Sequence, residues 1–174
     1  MKIRRAKVAD AASIAEITNT IIRDTLVTFT TDERSVESIA KDIVSRGDGY
    51  WVAGKGKQVV GFATYGPYRS GPGYAQCREL TIQLAPYARG QGVGRALMAA
   101  LETAARVEGV HVLVAGISSA NPGAVAFHAA LGFKQVGHMP EVGFKWGKRL
   151  DLVLMQKIIS SDPPVVPDSR DFGR

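Results

Sequence analysis

Gly90, Gly92 and Gly94 stand on alternate positions between Arg89 and Arg95, at a point where a strand gives way to a helix. Upstream, Leu80-Thr81-Ile82-Gln83-Leu84 alternates apolar and polar residues with period two, the pattern of a strand. Pro86 has no N–H to donate and breaks that ladder. Downstream, Val93, Leu97, Ala100, Leu101, Ala104 and Ala105 recur at three- and four-residue steps, one apolar helix face. Glu102 and Arg106 lie one turn apart on the other face and can pair weakly. A strand-to-helix turn gathers free backbone N–H groups at the positive end of a helix dipole, a place that suits an anion. Alternate glycines remove the Cβ atoms that would hold a diphosphate away from those amides, and Arg89 and Arg95 can add charge-assisted contacts. The plainer alternative is a tight connection whose glycines only cap a helix.

Two phosphate loops fail on spacing. A dinucleotide fingerprint needs a third glycine where Arg95 stands and an acidic residue about 20 positions on. Val112-Leu113-Val114 is found there instead. A Walker loop needs GxxxxGK and then Ser or Thr. The run from Gly49 to Lys55 comes near, but Gly56 follows and the interior reads as an apolar strand. Cys77 has no Ser, His or acid pattern around it, and reads as a partly buried strand cysteine. His111, His128 and His138 are scattered without ligand spacing, so no metal is expected.

Residues 82–94, Ile-Gln-Leu-Ala-Pro-Tyr-Ala-Arg-Gly-Gln-Gly-Val-Gly, resemble the acyl-CoA loop of the GNAT acetyltransferases: a strand, a proline, then Arg-Gly-x-Gly-x-Gly. Residues 121–133, from Asn121-Pro122 to Leu131-Gly132-Phe133, resemble that family's Asn-led helix ending in Leu-Gly-Phe. The likeness narrows to the phosphinothricin or methionine-sulfoximine N-acetyltransferase branch on residues 131–133 with 137–151, on 114–117 and on 65–69. It covers residues 1–158.

This resemblance implies a mixed α/β (α+β) architecture, the GNAT fold. Its central sheet has six to seven strands flanked by about four helices, splayed between strands four and five. One catalytic domain over 1–158 and a flexible Pro-rich tail over 159–174 are expected. The implied reaction is acetyl transfer from acetyl-CoA to the primary amine of a small amino-acid-like molecule, by direct attack on the thioester. Methionine sulfoximine, methionine sulfone and phosphinothricin are the expected substrate types. By the same resemblance, Ile82, Gln83 and Leu84 pair with the pantetheine arm, and the Leu84 N–H faces the thioester oxygen as it gains charge. Arg89, Gly90, Gln91, Gly92, Val93, Gly94 and Arg95 would hold the pyrophosphate, with Asn121 and Ala130 touching the carrier from the later helix.

Glu79 matches the branch's glutamate near the acetyl end. Apolar Leu80 and Ile82 beside it would desolvate the carboxylate and favour base action, directly or through a water. A strand-edge carboxylate paired with Arg78 or Arg69 is the alternative. His128 stands where many of these enzymes carry a tyrosine that protonates the leaving thiolate, and an imidazole can do that near neutral pH; a structural histidine is the alternative. Asn121 is also a plain N-cap. Phe29, Tyr68, Tyr74 and Trp146 are candidate apolar walls. Relatives carry a basic residue where this chain has Ala75, so Arg69 or Lys145 must partner a substrate carboxylate. Other readings are acetylation of a peptide N-terminus or lysine, a non-catalytic CoA-binding protein, and a basic nucleic-acid module.

The elements that must position these residues follow the same rules. A strand over 2–7 precedes a helix capped by Asp10 and running to about Ile22, with Ile14, Ile17, Ile21 and Ile22 as its stripe. Residues 25–34 read as extended chain or loop around Phe29, and a second helix spans 35–45. Strands 50–53 and 58–65 form a hairpin around Gly54-Lys55-Gly56-Lys57. Residues 66–76 form a Gly- and Pro-containing loop, a candidate lid. A buried strand spans 111–117; Pro122 opens a helix that Gly132 ends. Strands 133–136 and 150–155 close the sheet, joined by a loop over 137–149.

In 174 residues, 45% hydrophobic and 22% charged, one domain with a sizeable core is expected. No apolar run is long enough for a membrane span, and Met1-Lys2-Ile3-Arg4-Arg5 enters a strand without a signal core. A single Cys suits a reducing cytoplasm. The net charge of +6 is spread along the chain, with no clustered patch for nucleic acid. The partners that the resemblance implies are a small amine, acetyl-CoA and, as in relatives, a second copy of the chain through apolar residues near 138–151.

Overall fold

The computed structural model describes residues 1–55 and 58–160. The tip of the first hairpin and the tail over 161–174 lie outside the described residues. The seven described strands are β1 (Lys2–Arg5), β2 (Tyr50–Lys55), β3 (Gln58–Pro67), β4 (Cys77–Leu84), β5 (Val112–Ser118), β6 (Lys134–Lys145) and β7 (Lys148–Ile158). They form one sheet in the order β1-β2-β3-β4-β5-β7-β6. Only β4 and β5 run parallel; every other neighbouring pair is antiparallel.

Helices α1 (Ala11–Asp24) and α2 (Val36–Arg46) cover one face of this sheet. Ile14, Ile17 and Ile21 of α1 and Ile39 and Ile43 of α2 pack there on Tyr50, Val52 and Phe62. Helices α3 (Val93–Val107) and α4 (Pro122–Ala130) cover the other face. Leu97, Met98, Leu101 and Ala105 of α3 bury themselves among Leu80, Leu113 and Met155, with Phe127 of α4 alongside. Both helical stripes fall on their core faces as the periodicity predicts. The mixed fold, with seven strands and four α-helices among the described residues, matches the expected architecture. No helix among the described residues is long and apolar enough to cross a membrane.

Three local readings are corrected. Asp10 precedes α1 but does not cap it. Its carboxylate accepts the Lys7 backbone N–H at 2.7 Å and the Arg4 guanidinium at 2.7 and 2.8 Å. Glu102 is not on the solvent face of α3: it is 7% exposed. It accepts Lys157 of β7 at 2.7 Å as well as Arg106 at 3.1 Å. Burial here is compensated by two cations, as a buried carboxylate requires.

The third correction is the largest. Residues 137–149 are not a loop; they are most of a long β6–β7 hairpin that closes at Trp146-Gly147. Both turn residues have positive φ, 51° and 74°. That is the twist-matched two-residue turn usually signalled by Asn-Gly or Asp-Gly, and Trp-Gly hides it. Register shifts at Gln135/Gly137 and Met139/Gly143 also disrupt the period-two pattern.

Candidate active site

The site begins where β4 parts from β5. Their ladder ends at Glu79↔Val114, while β4 runs on to Leu84. Which backbone groups this frees follows from parity. Ala85 N–H donates to Val60 O and Tyr68 N–H to Cys77 O, so odd-numbered β4 residues bond β3. Gln76 O accepts Val112 N–H, so even-numbered residues face β5. Ile82 and Leu84 therefore turn their N–H and C=O groups into a gap with no strand in it. Gln83 does not: its backbone faces β3, and its side chain accepts from Thr18 Oγ1 at 2.8 Å.

Past Pro86 the chain turns back to start α3. Gly90 and Gly92 have φ of 72° and 77°, so a side chain at either would be strained. Gly92 is the N-cap and offers no side-chain acceptor. The first α3 bond runs from Ala96 N–H to Gly92 O, leaving the N–H groups of Val93, Gly94 and Arg95 free at the helix's positive end. Gly94 has a different task from the other two. A Cβ there would lie 3.2 Å from the Phe127 ring and 3.5 Å from Leu84, so it is small to let α3, α4 and β4 converge. Gln91 points away and donates to Tyr87 O at 2.7 Å, bracing the turn.

The gap opens into one elongated cavity of about 930 Å³. Arg89, Gly90, Gly92, Val93, Gly94 and Arg95 line one end. Residues 80–84 and 116–118 line the middle, with Asn121 and His128 beside them. The far end lies under α1, α2 and their connection, where Phe29, Arg34, Asp42, Arg46, Tyr50 and Thr64 contribute.

That connection is pinned at several points. Ser118 Oγ donates to Leu26 O at 2.8 Å. Asn19 bonds Arg34 both ways, at 2.9 and 2.8 Å. Phe29 lies flat against Gly143 of β6, where a Cβ would come within 2.7 Å of its ring. Lys145 completes the set. It is 1% exposed and donates to Ile22 O, Thr25 O and Thr28 Oγ1 at 2.7, 2.8 and 3.2 Å. Burial lowers its pKa. With all three protons bonded and no place on the cavity wall, Lys145 ties down the end of α1 and is not a carboxylate partner.

Tyr68, Arg69 and Tyr74 also lie off the cavity wall. Arg69 stacks 5.3 Å over the Tyr68 ring, whose centroid is 6.0 Å from that of Tyr74. They form an exposed cluster of their own. Ala130 is exposed at the end of α4, away from the cavity. Asn121 caps α4, its Oδ1 accepting Ala124 N–H at 3.1 Å, and it lines the cavity.

Glu79 is not itself on the cavity wall; its carboxylate lies over Gly116, which is, and a Cβ there would meet Oε1 at 3.2 Å. It is exposed, and its apolar neighbours Leu80 and Ile82 point to the opposite face, so the expected desolvation does not arise. Neither Arg78 nor Arg69 pairs with it among the described residues.

His128 is buried between Phe127 and Phe133, edge-on to both rings at 5.3 and 5.2 Å. Its Nδ1 lies 2.8 Å from Ala124 O, and a carbonyl only accepts, so Nδ1 carries the proton. Nε2 then presents a lone pair and has no partner among the described residues. Burial pushes its pKa below the ordinary 6.5. The side chain is thus an acceptor, and it must first gain a proton before it can give one to a thiolate. Cys77 is half-buried, and burial raises its pKa, the reverse of an activated thiol.

Sequence reasoning missed Thr18, Thr64, Arg34, Asp42 and Arg46. The Asp42/Arg46 spacing marks a helix pair, at 3.3 Å in the structure, but nothing in the sequence says that the pair faces a cavity.

The family model of the acetyltransferase (GNAT) family matches residues 14–133. An L-methionine sulfoximine/L-methionine sulfone acetyltransferase of Salmonella typhimurium is 36% identical, across 97% of this chain and 99% of that one. A phosphinothricin acetyltransferase from Sinorhizobium meliloti, solved with acetyl-CoA, superposes with a TM-score of 0.88 at 32% identity, over 97% and 93% of the two chains. A ribosomal-protein-alanine N-acetyltransferase from Brucella melitensis gives a TM-score of 0.86 at 39% identity, over 91% and 99%. With the splayed strands, the glycine turn and the Asn-capped helix in place, this chain belongs to the GNAT family of acetyltransferases.

Proposed function

We propose that the protein transfers an acetyl group from acetyl-CoA to the primary amine of a small amino-acid-like substrate, of the methionine sulfoximine, methionine sulfone or phosphinothricin type. One observation carries this reading: unpaired backbone at Ile82 and Leu84 runs continuously into the free N–H groups that open α3. Acetyl-CoA supplies the activated acetyl group as a thioester. The gap can take an arm rich in amides, because Ile82 and Leu84 offer donors and acceptors in strand geometry. The α3 amides with Arg89 and Arg95 suit a diphosphate.

In this reading the Leu84 N–H stabilises negative charge on the reacting carbonyl oxygen. Glu79 takes the proton from the incoming ammonium, directly or through a water. His128 Nε2 accepts a hydrogen bond from a donor in the cleft, and Asn121 keeps its Nδ2 free for the same purpose while Oδ1 caps α4. Location in the cytoplasm is supported by the lone cysteine. A homodimer is supported by exposed Met139, Val142, Phe144 and Trp146 on the β6–β7 hairpin, and sedimentation of the purified chain checks it.

Acetylation of a protein N-terminus is the second reading, favoured by the likeness to the Brucella enzyme. The test is CoA release over a panel of amines that includes methionine sulfoximine, phosphinothricin and an alanine-led peptide. Turnover of the amino-acid analogues is expected. Turnover of the peptide alone replaces the first reading with the second, and no uptake of acetyl-CoA by calorimetry removes both.

A further inference from the structure

An amino-acid substrate brings a carboxylate into the cavity, and the two cations expected to receive it are unsuited. Lys145 is buried with its protons bonded, and Arg69 is out in solvent. The same cavity holds two other guanidiniums. Arg34 Nη2 and Arg46 Nη2 flank one carboxylate, Asp42, at 3.0 and 3.3 Å. Two cations on one anion leave a net charge of +1 at the cavity's far end.

Both arginines are held in place. Arg34 is anchored through its backbone on Asn19 and through Nε on Ser38 at 3.1 Å. Arg46 donates to Thr64 Oγ1 at 3.3 Å and lies over Gly66, where a Cβ would come 3.6 Å from its Cζ. The strand register then fixes what lies beside it. Thr64 pairs with Thr81 and Gly66 with Glu79 across β3–β4, so these positions share one face of the sheet. The Arg46 guanidinium therefore lies over the β3 position whose backbone is one strand spacing, about 4.8 Å, from the backbone that carries Glu79. No ion pair joins Arg46 to Glu79 among the described residues. An α-amino acid has its ammonium and carboxylate on one carbon, and this arrangement offers a receptor for each on adjoining strands.

We infer that Arg46, seconded by Arg34 and braced by Asp42, is the carboxylate receptor that selects free amino acids over other amines. The inference rests on the amine-acetylation reading above and names its substrate class. The planar fork of Arg46 keeps unused donors for a carboxylate after Asp42 and Thr64 are served. Asp42 holds the fork in one orientation, so little side-chain freedom is lost on binding. A peptide N-terminus has an amide at this position and gains nothing from the pair. The diphosphate of acetyl-CoA is served at the opposite end of the cavity, by α3.

The experiment compares L-methionine sulfone with its carboxamide as acceptors, in the wild-type chain and in Arg46→Ala. The expected result is a fall in kcat/KM for the acid of about 10- to 100-fold, carried by KM, and less than about threefold for the carboxamide. Using one pair of acceptors in both proteins cancels their difference in amine basicity. Arg46→Lys keeps the charge without the fork and is expected to fall between; it also serves should the alanine variant not fold. Acetyl-CoA affinity by calorimetry stays unchanged. Equal losses for acid and carboxamide, or none for either, overturn the assignment. A tenfold loss of acetyl-CoA affinity overturns it too, by giving Arg46 to a phosphate. If the wild-type chain acetylates neither acceptor while binding acetyl-CoA, the amine-acetylation reading fails first, and this inference with it.

Discussion

The two ends of the cavity are built from different materials. At the α3 end, the free groups are main chain: Ile82 and Leu84 in the gap, then the amides of residues 93–95. Side chains there act mostly by being small, as Gly90, Gly92 and Gly94 do. At the α1–α2 end, the wall is made by side chains from distant parts of the chain: Phe29 and Arg34 from the connection, Asp42 and Arg46 from α2 and Thr64 from β3, with Gly143 of β6 leaving room for the Phe29 ring. A backbone-built end can accept a constant ligand part whatever its neighbours are. An end built from side chains can be retuned one residue at a time, which suits it to choose the amine.

This contrast predicts separable damage. Glu79→Gln should give the largest effect, lowering kcat by about 10²- to 10⁴-fold, with acetyl-CoA affinity intact by calorimetry. Unchanged turnover across pH removes Glu79 as the base. Gly92→Val forces a branched residue to φ near 77°, at a cost of about 1–2 kcal/mol or more. Acetyl-CoA affinity should drop about tenfold, that cost read through the fold-change, with amine KM little changed. A variant that lost both affinities together would erase the division between the ends.

Lys145→Met leaves the carbonyls of Ile22 and Thr25 without their donor. A loss of about 2–3 kcal/mol is expected, some 5–10 °C in Tm for a chain of this size. Amine KM should rise, because the Phe29 wall loses its anchor, while acetyl-CoA affinity holds.

His128→Phe replaces an orphaned acceptor by a ring of similar shape, so Tm at neutral pH should move by no more than about 2 °C. Its effect on pH dependence is more telling. The folded pKa is lowered, so between the two pKa values the unfolded chain binds more protons than the folded one. Stability from this group is present above about 6.5 and is lost as pH falls toward the folded pKa. His128→Phe should flatten that part of the Tm–pH curve, and an unaltered curve sinks the neutral-histidine assignment. The smallest effect belongs to Arg69→Ala, in the exposed Tyr68–Tyr74 cluster: kcat/KM should stay within about twofold.

Much of the α3 end was legible in the sequence. Periodicity around Leu80 and Val93 placed the strand and helix, Pro86 placed the break, and the glycine spacing marked the turn. Even there the roles divided only in space: Gly94 is needed for Phe127, and Gln83 faces α1 and β3. The α1–α2 end was barely legible. Arg34 was only the end of a loop and Asp42 carried no signal, the bulged β6 looked like a loop, and Lys145 looked available.

What the sequence determined by itself is therefore the local: element type, turn chemistry, and a phosphate-suited helix start, since each depends on residues a few positions apart. Only the tertiary structure decided which side chains share the cavity, which cations keep a free hand and which way the lone pair of His128 points. Those outcomes depend on strand register and on burial, where a single-residue shift would send each side chain to the other face of the sheet.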